Sequence, residues 1–168
     1  LILDVDNDND NDVYVVSGGT SFGKNSEKYR DRLYINDGLG TFTLATNEQH
    51  LPFSSGGSVS AADFDKDGDL DLFVSGLVVP GSYPLAPENY LLINTTNHPE
   101  QSIKNRQIFI KANQKTFSFT NELGMISSAL WTDFDNDGWT DLICVGEWNT
   151  IQFLKNNKGS FTNVSLKS

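Results

Sequence analysis

DFDKDGDLDLFV at 63–74 sets five aspartates at alternating positions and runs straight into an apolar strand. Two further stretches follow the same pattern: DVDNDNDNDVYV at 4–15 and DFDNDGWTDLIC at 133–144. So many carboxylates packed into one short turn repel one another, so the turn calls for a cation. The copies start 59 and 70 residues apart, which makes the chain a repeat array.

In the middle copy Asp63, Asp65 and Asp67 stand at loop positions 1, 3 and 5. Gly68 at position 6 suits a turn that needs positive φ. Asp69 at position 7 offers a backbone carbonyl, and Asp71 at position 9 returns a carboxylate. A hard cation with about six to eight oxygen ligands matches this set, and magnesium's stricter octahedron suits it less than calcium. Zinc and copper prefer nitrogen and sulfur, which the loops lack. The third copy supplies Asp133, Asp135, Asp137, the Trp139 carbonyl and Asp141. The first supplies Asp4, Asp6, Asp8, the Asp10 carbonyl and Asp12, with Asn9 in the glycine position. Asparagine is the residue next most tolerant of the left-handed region. Three Ca²⁺ sites are therefore expected.

These loops are not EF-hands. An EF-hand closes on a glutamate at position 12 between helices. Here position 12 is Val15, Val74 or Cys144, and the flanks VYVV, LFV and LICV read as strands. The loops hold 14 of the 22 acidic residues, so the formal net charge of −10 belongs mainly to them. No basic stripe points to nucleic acid, and no apolar stretch is long enough for a membrane-spanning helix.

Further segments repeat in register. A small-residue strand precedes the loop in GGSVSAADF (56–64) and GMISSALWTDF (124–134). After the loop and its strand come LYIN (33–36), LLIN (91–94) and FLKN (153–156). A strand ending in Phe-Thr is expected to close each unit, at 40–43, 117–120 and 159–162. Four short strands per unit is the pattern of an all-β propeller built from four-stranded antiparallel blades. The blades are placed at 1–46, 56–120 and 124–165 of one segment, 1–168. Propellers hold about four to eight blades, so the three units read as part of a larger ring.

The acidic loops join strands 1 and 2, so the 3–4 turns share their face and the 2–3 connections lie on the opposite one. Those connections vary: long at 17–30 and 76–89, four residues (GEWN) at 146–149. Unit two also carries about nineteen extra residues in its 3–4 turn, roughly 95–113, and variable loops on a rigid scaffold are where binding usually sits. Phe22, Tyr29, Tyr83, Tyr90 and Trp148 lie in or beside the 2–3 loops. Aromatic side chains serve both sugar stacking and protein hot spots, although covering local core is a competing role for each. Trp148, in the shortest loop, is the foremost candidate. Trp131, Phe64 and Phe134 are expected between blades, and Cys144, the single cysteine, as a buried thiol. Asn94-Thr95-Thr96 and Asn163-Val164-Ser165 match the glycosylation sequon.

The units DFDKDGDLDLFVSG…YLLIN and ALWTDFDNDGWTDLICVGEW…GSFTNV resemble the FG-GAP/VCBS repeat family, which includes the integrin α propeller and large bacterial surface proteins. The phrasing is most similar to Bacteroidetes cell-surface VCBS proteins, some of which carry an ASPIC/UnbV module. The resemblance implies a seven- or eight-bladed propeller with calcium in the 1–2 hairpins. It implies an extracellular or cell-surface location, and a protein or glycan ligand on the face opposite the calcium loops. The long 2–3 loops depart from the integrin pattern, so integrin ligands are not carried over. Two other classes remain open. One is a propeller within a carbohydrate-active enzyme such as a polysaccharide lyase, for which His50 and His98 are the histidines present. The other is a scaffold subunit in an outer-membrane surface assembly.

Overall fold

The computed structural model describes residues 1–24, 26–46, 51–97, 107–119 and 121–165. His50 and His98 lie outside the described residues. Among the described residues twelve strands form three four-stranded sheets. The first holds β1 (Ile2–Leu3), β2 (Asp12–Val15), β3 (Arg32–Asn36) and β4 (Phe42–Leu44). The second holds β5 (Gly56–Ala62), β6 (Asp71–Gly76), β7 (Tyr90–Asn94) and β8 (Phe109–Lys111). The third holds β9 (Met125–Thr132), β10 (Asp141–Glu147), β11 (Gln152–Asn156) and β12 (Phe161–Asn163). Each is an antiparallel meander in chain order. This is the blade of a β-propeller.

One expectation needs correction. The closing strand of the second sheet is Phe109–Lys111, which pairs with Tyr90–Asn94 through Asn94↔Phe109. The Phe-Thr stretch at 117–119 forms no strand; Asn113 turns the chain there, its carbonyl accepting from the Thr116 and Phe117 N–H groups. Phe117 instead packs edge-on against Phe73 and Phe161. The extra length of unit two is thus shared between the 3–4 and the following 4–1 connection.

Among the described residues two apolar clusters lie between neighbouring sheets, and alternation in the strands builds both. Between the first and second sheets, Val5, Tyr14 and Leu33 meet Leu72, Leu92 and Phe109. Between the second and third, Phe64, Phe73 and Leu91 meet Leu142, Leu154 and Phe161, with Trp131 packed against them. Phe64 and Trp131 stack with centroids 6.3 Å apart. Phe64 is buried and Cys144 is a buried free thiol, whose pKa burial pushes up to about 12. Phe134, expected between blades, is only partly buried and meets Phe153 of its own sheet edge-on at 5.7 Å.

Candidate functional site: the acidic loops and the opposite face

The three loops share one backbone. Position 4 is left-handed in all of them (Asn7 φ 63°, Lys66 φ 66°, Asn136 φ 59°). Position 6 is left-handed as well (Asn9 φ 73°, Gly68 φ 93°, Gly138 φ 88°). Glycine or asparagine at position 6 is what that conformation requires. The resulting coil turns the odd-numbered carboxylates inward. Oxygens of Asp4, Asp6 and Asp8 gather within 4.8 Å of one another, as do those of Asp63, Asp65 and Asp71, and of Asp133, Asp135 and Asp141.

The position-9 aspartate has a second task. Asp71 Oδ2 accepts from Phe64 N at 3.3 Å and Oδ1 from Asn94 N at 2.8 Å. Asp141 does the same with Phe134 N at 3.1 Å and Asn156 N at 2.7 Å. Asp12 does so with Val5 N at 2.9 Å and Asn36 N at 2.8 Å. This buried carboxylate staples the start of the loop to the end of the third strand. In the second and third loops this aspartate also belongs to the close trio, whereas in the first the trio contains Asp8 rather than Asp12. Asp10, Asp67, Asp69, Asp137 and Trp139 lie in the same turns outside the trios. Asp67 and Asp137 turn back to accept from the backbone N–H of residues 69 and 139.

Whether these residues suit a cation can be read from their oxygens. Oδ1 of Asp6, Asp10 and Asp63 is buried and takes no hydrogen bond from the described residues. A buried acceptor without a donor is costly, and a hard cation satisfies several at once. Burial first, then repulsion from Asp8, Asp12, Asp4 and Asp10, pushes Asp6 up to about 6. Burial chiefly pushes Asp71 up to about 8, with Asp65 and Asp67 adding to it. The donor set therefore fits calcium in the first two loops. The third carries its own cation: Lys155 Nζ, from β11, binds Asp135 and lies 2.8 Å from Asp137 Oδ2. The hydrogen bond from Lys155, followed by that from the Trp139 N–H, lowers the Asp137 pKa, and the bonds to Asp135 and Asp137 raise that of Lys155.

The loops also reach the neighbouring sheet. Asn94 Nδ2 donates to the Val5 carbonyl at 2.9 Å, and Asn156 Nδ2 to the Phe64 carbonyl at 2.8 Å. Lys66 Nζ sits 4.5 Å from the centroid of the Trp139 ring, joining the second loop to the third. Asn94 is fully buried with its amide engaged, which argues against its sequon being used.

On the opposite face, the 2–3 connection of the second sheet meets the short turn of the third. Trp148 Nε1 donates to Tyr83 Oη at 2.5 Å. The residues are 84% and 59% exposed. Trp148 holds φ at 57°, a left-handed conformation unusual for so bulky a residue. Tyr83 stands on a loop closed by the backbone bonds Val79 N to Leu85 O and Ser82 N to Val79 O. Phe22 is exposed and rests edge-on upon Tyr29 at 6.1 Å.

Tyr29 itself does not belong to this surface. It is 1% exposed, and its hydroxyl accepts from Phe22 N and donates to Phe22 O, both at 2.9 Å. It is a structural pin for its loop. Tyr90 is half-buried beneath Lys111, whose Nζ lies 4.6 Å from the ring centroid.

A residue missed in the sequence is Asp31, buried just before β3. It accepts from Tyr14 Oη at 2.9 Å and from Ser17 N at 2.8 Å. Burial pushes its carboxyl up to about 7. Asn89 holds the equivalent place in the second sheet, accepting from Gly76 N at 2.9 Å. Aligning the residue before each third strand is the signal that finds the pair.

Fold and site together define a propeller-type repeat protein whose strand 1–2 turns are acidic loops. The family model for the FG-GAP-like repeat matches residues 4–74, from the first loop through the second and into β6. That segment of the chain is similar to the FG-GAP-like repeat. A search of curated proteins finds no match to the chain.

Proposed function

We propose that the chain is a calcium-stabilised extracellular binding module that presents an aromatic surface to a protein or glycan partner. The observation that carries this reading is the Trp148–Tyr83 pair. Two aromatic side chains from different sheets are hydrogen-bonded to each other and still largely exposed. Large exposed rings held in one geometry lose little entropy on binding and suit stacking on a sugar face or an apolar protein contact. FG-GAP repeats are commonly extracellular binding or adhesion modules and are generally not catalytic, which supports binding over turnover. Among the described residues no helix is long and apolar enough to cross a membrane.

Calcium serves this surface from the far side of each blade. Bound, it would supply the positive charge that lets the loop carboxylates approach without protons. The chain's own residues do the rest: Asp12, Asp71 and Asp141 tie each loop to its third strand, and Asn94 and Asn156 tie the first and second loops to the next sheet. A glycan array and a pull-down from surface extracts, run with the wild type and Trp148→Ala, test the reading. Loss of a retained glycan or protein in the variant, with an unchanged melting temperature, is the expected result. Equal retention by both proteins removes this surface from consideration.

A further inference from the structure

The third acidic loop differs from the other two in a way that rests on the calcium reading and extends it. Its position 7 is Trp139 where the others have Asp10 and Asp69, so it has one carboxylate fewer. Within it sits an amine. Lys155 Nζ binds Asp135 and lies 2.8 Å from Asp137 Oδ2. Asp135 is also one of the three residues whose oxygens converge in this loop. The strand register assigns Lys155 its counterparts. Lys155 pairs with Thr162, Ile35 with Thr43 and Ile93 with Ile110, each one residue before the asparagine that ends its third strand. In the first two sheets an isoleucine packs against core at the place where the third sheet carries a cation. Lys66 adds a second positive charge nearby, over the Trp139 ring.

We infer that Lys155 is a built-in competitor for the cation of the third loop. Its ammonium group takes a carboxylate oxygen that the metal needs and adds a positive charge at close range. The third loop therefore binds calcium more weakly than it would with isoleucine there. It can stay folded when the metal is scarce, because the amine already offsets part of the repulsion. The three loops then form a graded set: two that depend on calcium for neutralisation, and one that carries its own counter-charge.

The test uses Trp139, whose indole can sensitise luminescence from terbium bound at the turn where its carbonyl is a ligand. Terbium is titrated into the wild type, Lys155→Ile and Lys155→Met at low and moderate salt, and calcium is then used to displace it. Affinity at the third loop should rise about tenfold in both variants, as removal of one nearby charge predicts. The gain should shrink as salt is added. Trp139→Phe keeps the carbonyl and should abolish the signal, which assigns it to this loop. Equal affinity in wild type and both variants overturns the role of Lys155. Absence of bound terbium in every variant, with a direct count of metal per chain at zero, overturns the calcium reading and this inference with it.

Discussion

The side-chain amide of Asn156 donates to the backbone carbonyl of Phe64 at 2.8 Å, while its own backbone N–H is held by Asp141 Oδ1 at 2.7 Å. One residue thus fastens the third sheet's staple to the second sheet's acidic loop. Asn94 repeats the arrangement toward Val5, with Asp71 as its staple. Because Asn156 is fully buried, Asn156→Leu leaves the Phe64 carbonyl without this donor. A loss of about 1–3 kcal/mol follows from an unsatisfied buried polar group. Urea denaturation at fixed calcium measures it; a stability equal to wild type would mean that the amide bond contributes nothing net.

Removing calcium should lower the melting temperature markedly. For sites of about 10⁻⁴ M affinity at about 1 mM calcium, each contributes roughly 1.4 kcal/mol, so the first two loops contribute roughly 3 kcal/mol and the third less. Differential scanning calorimetry with and without EGTA reads the effect. An unchanged melt would falsify the structural role assigned to the metal.

The Asp31 carboxyl gives a pH dependence of definite sign. Its folded pKa is raised from 3.8 to about 7 by burial, against the hydrogen bonds from Ser17 and Tyr14. The folded chain therefore holds this proton more tightly than the unfolded chain. Its contribution to stability is full below the ordinary value and is lost as pH rises through about 7. Asp31→Asn installs the residue the second sheet already uses at Asn89, and should flatten the stability profile between those limits. Urea midpoints in excess calcium, taken from acid to neutral pH, decide it; parallel profiles for the two proteins would count against the assignment.

Phe64→Ala tests the packing between the second and third sheets. The ring is buried against Trp131 and Phe161 at 6.3 and 5.5 Å. Truncating it should destabilise by about 3–5 kcal/mol, the usual range for a buried aromatic. Trp131 fluorescence should shift to the red in the folded variant as its stacked partner disappears. A variant as stable as wild type would show that the interface repacks without loss.

Much of this was legible in the sequence because it lies in short-range spacing. Alternating aspartates, a glycine or asparagine at position 6 and an apolar run fixed the loops and their strands, and the left-handed φ of Asn9, Gly68 and Gly138 follows from residue type. What depends on distant contacts was not legible. Two phenylalanine-bearing segments compete for the fourth strand of unit two, and only edge pairing with Tyr90–Asn94 selects Phe109–Lys111. Tyr29 reads as an exposed loop aromatic until its hydroxyl is seen closing on Phe22. Tyr83 and Trp148 are 65 residues apart, and nothing in either loop announces the other.

The asparagine clasps change where one repeat ends and the next begins. A recombination boundary drawn in the gap between sheets would sever Val5 from Asn94, or Phe64 from Asn156, and deliver a loop missing its finishing amide. A transplantable unit instead runs from one acidic loop through the third strand of the following sheet. A graft designed on these repeats should therefore carry both halves of a clasp together, Val5 with Asn94 or Phe64 with Asn156.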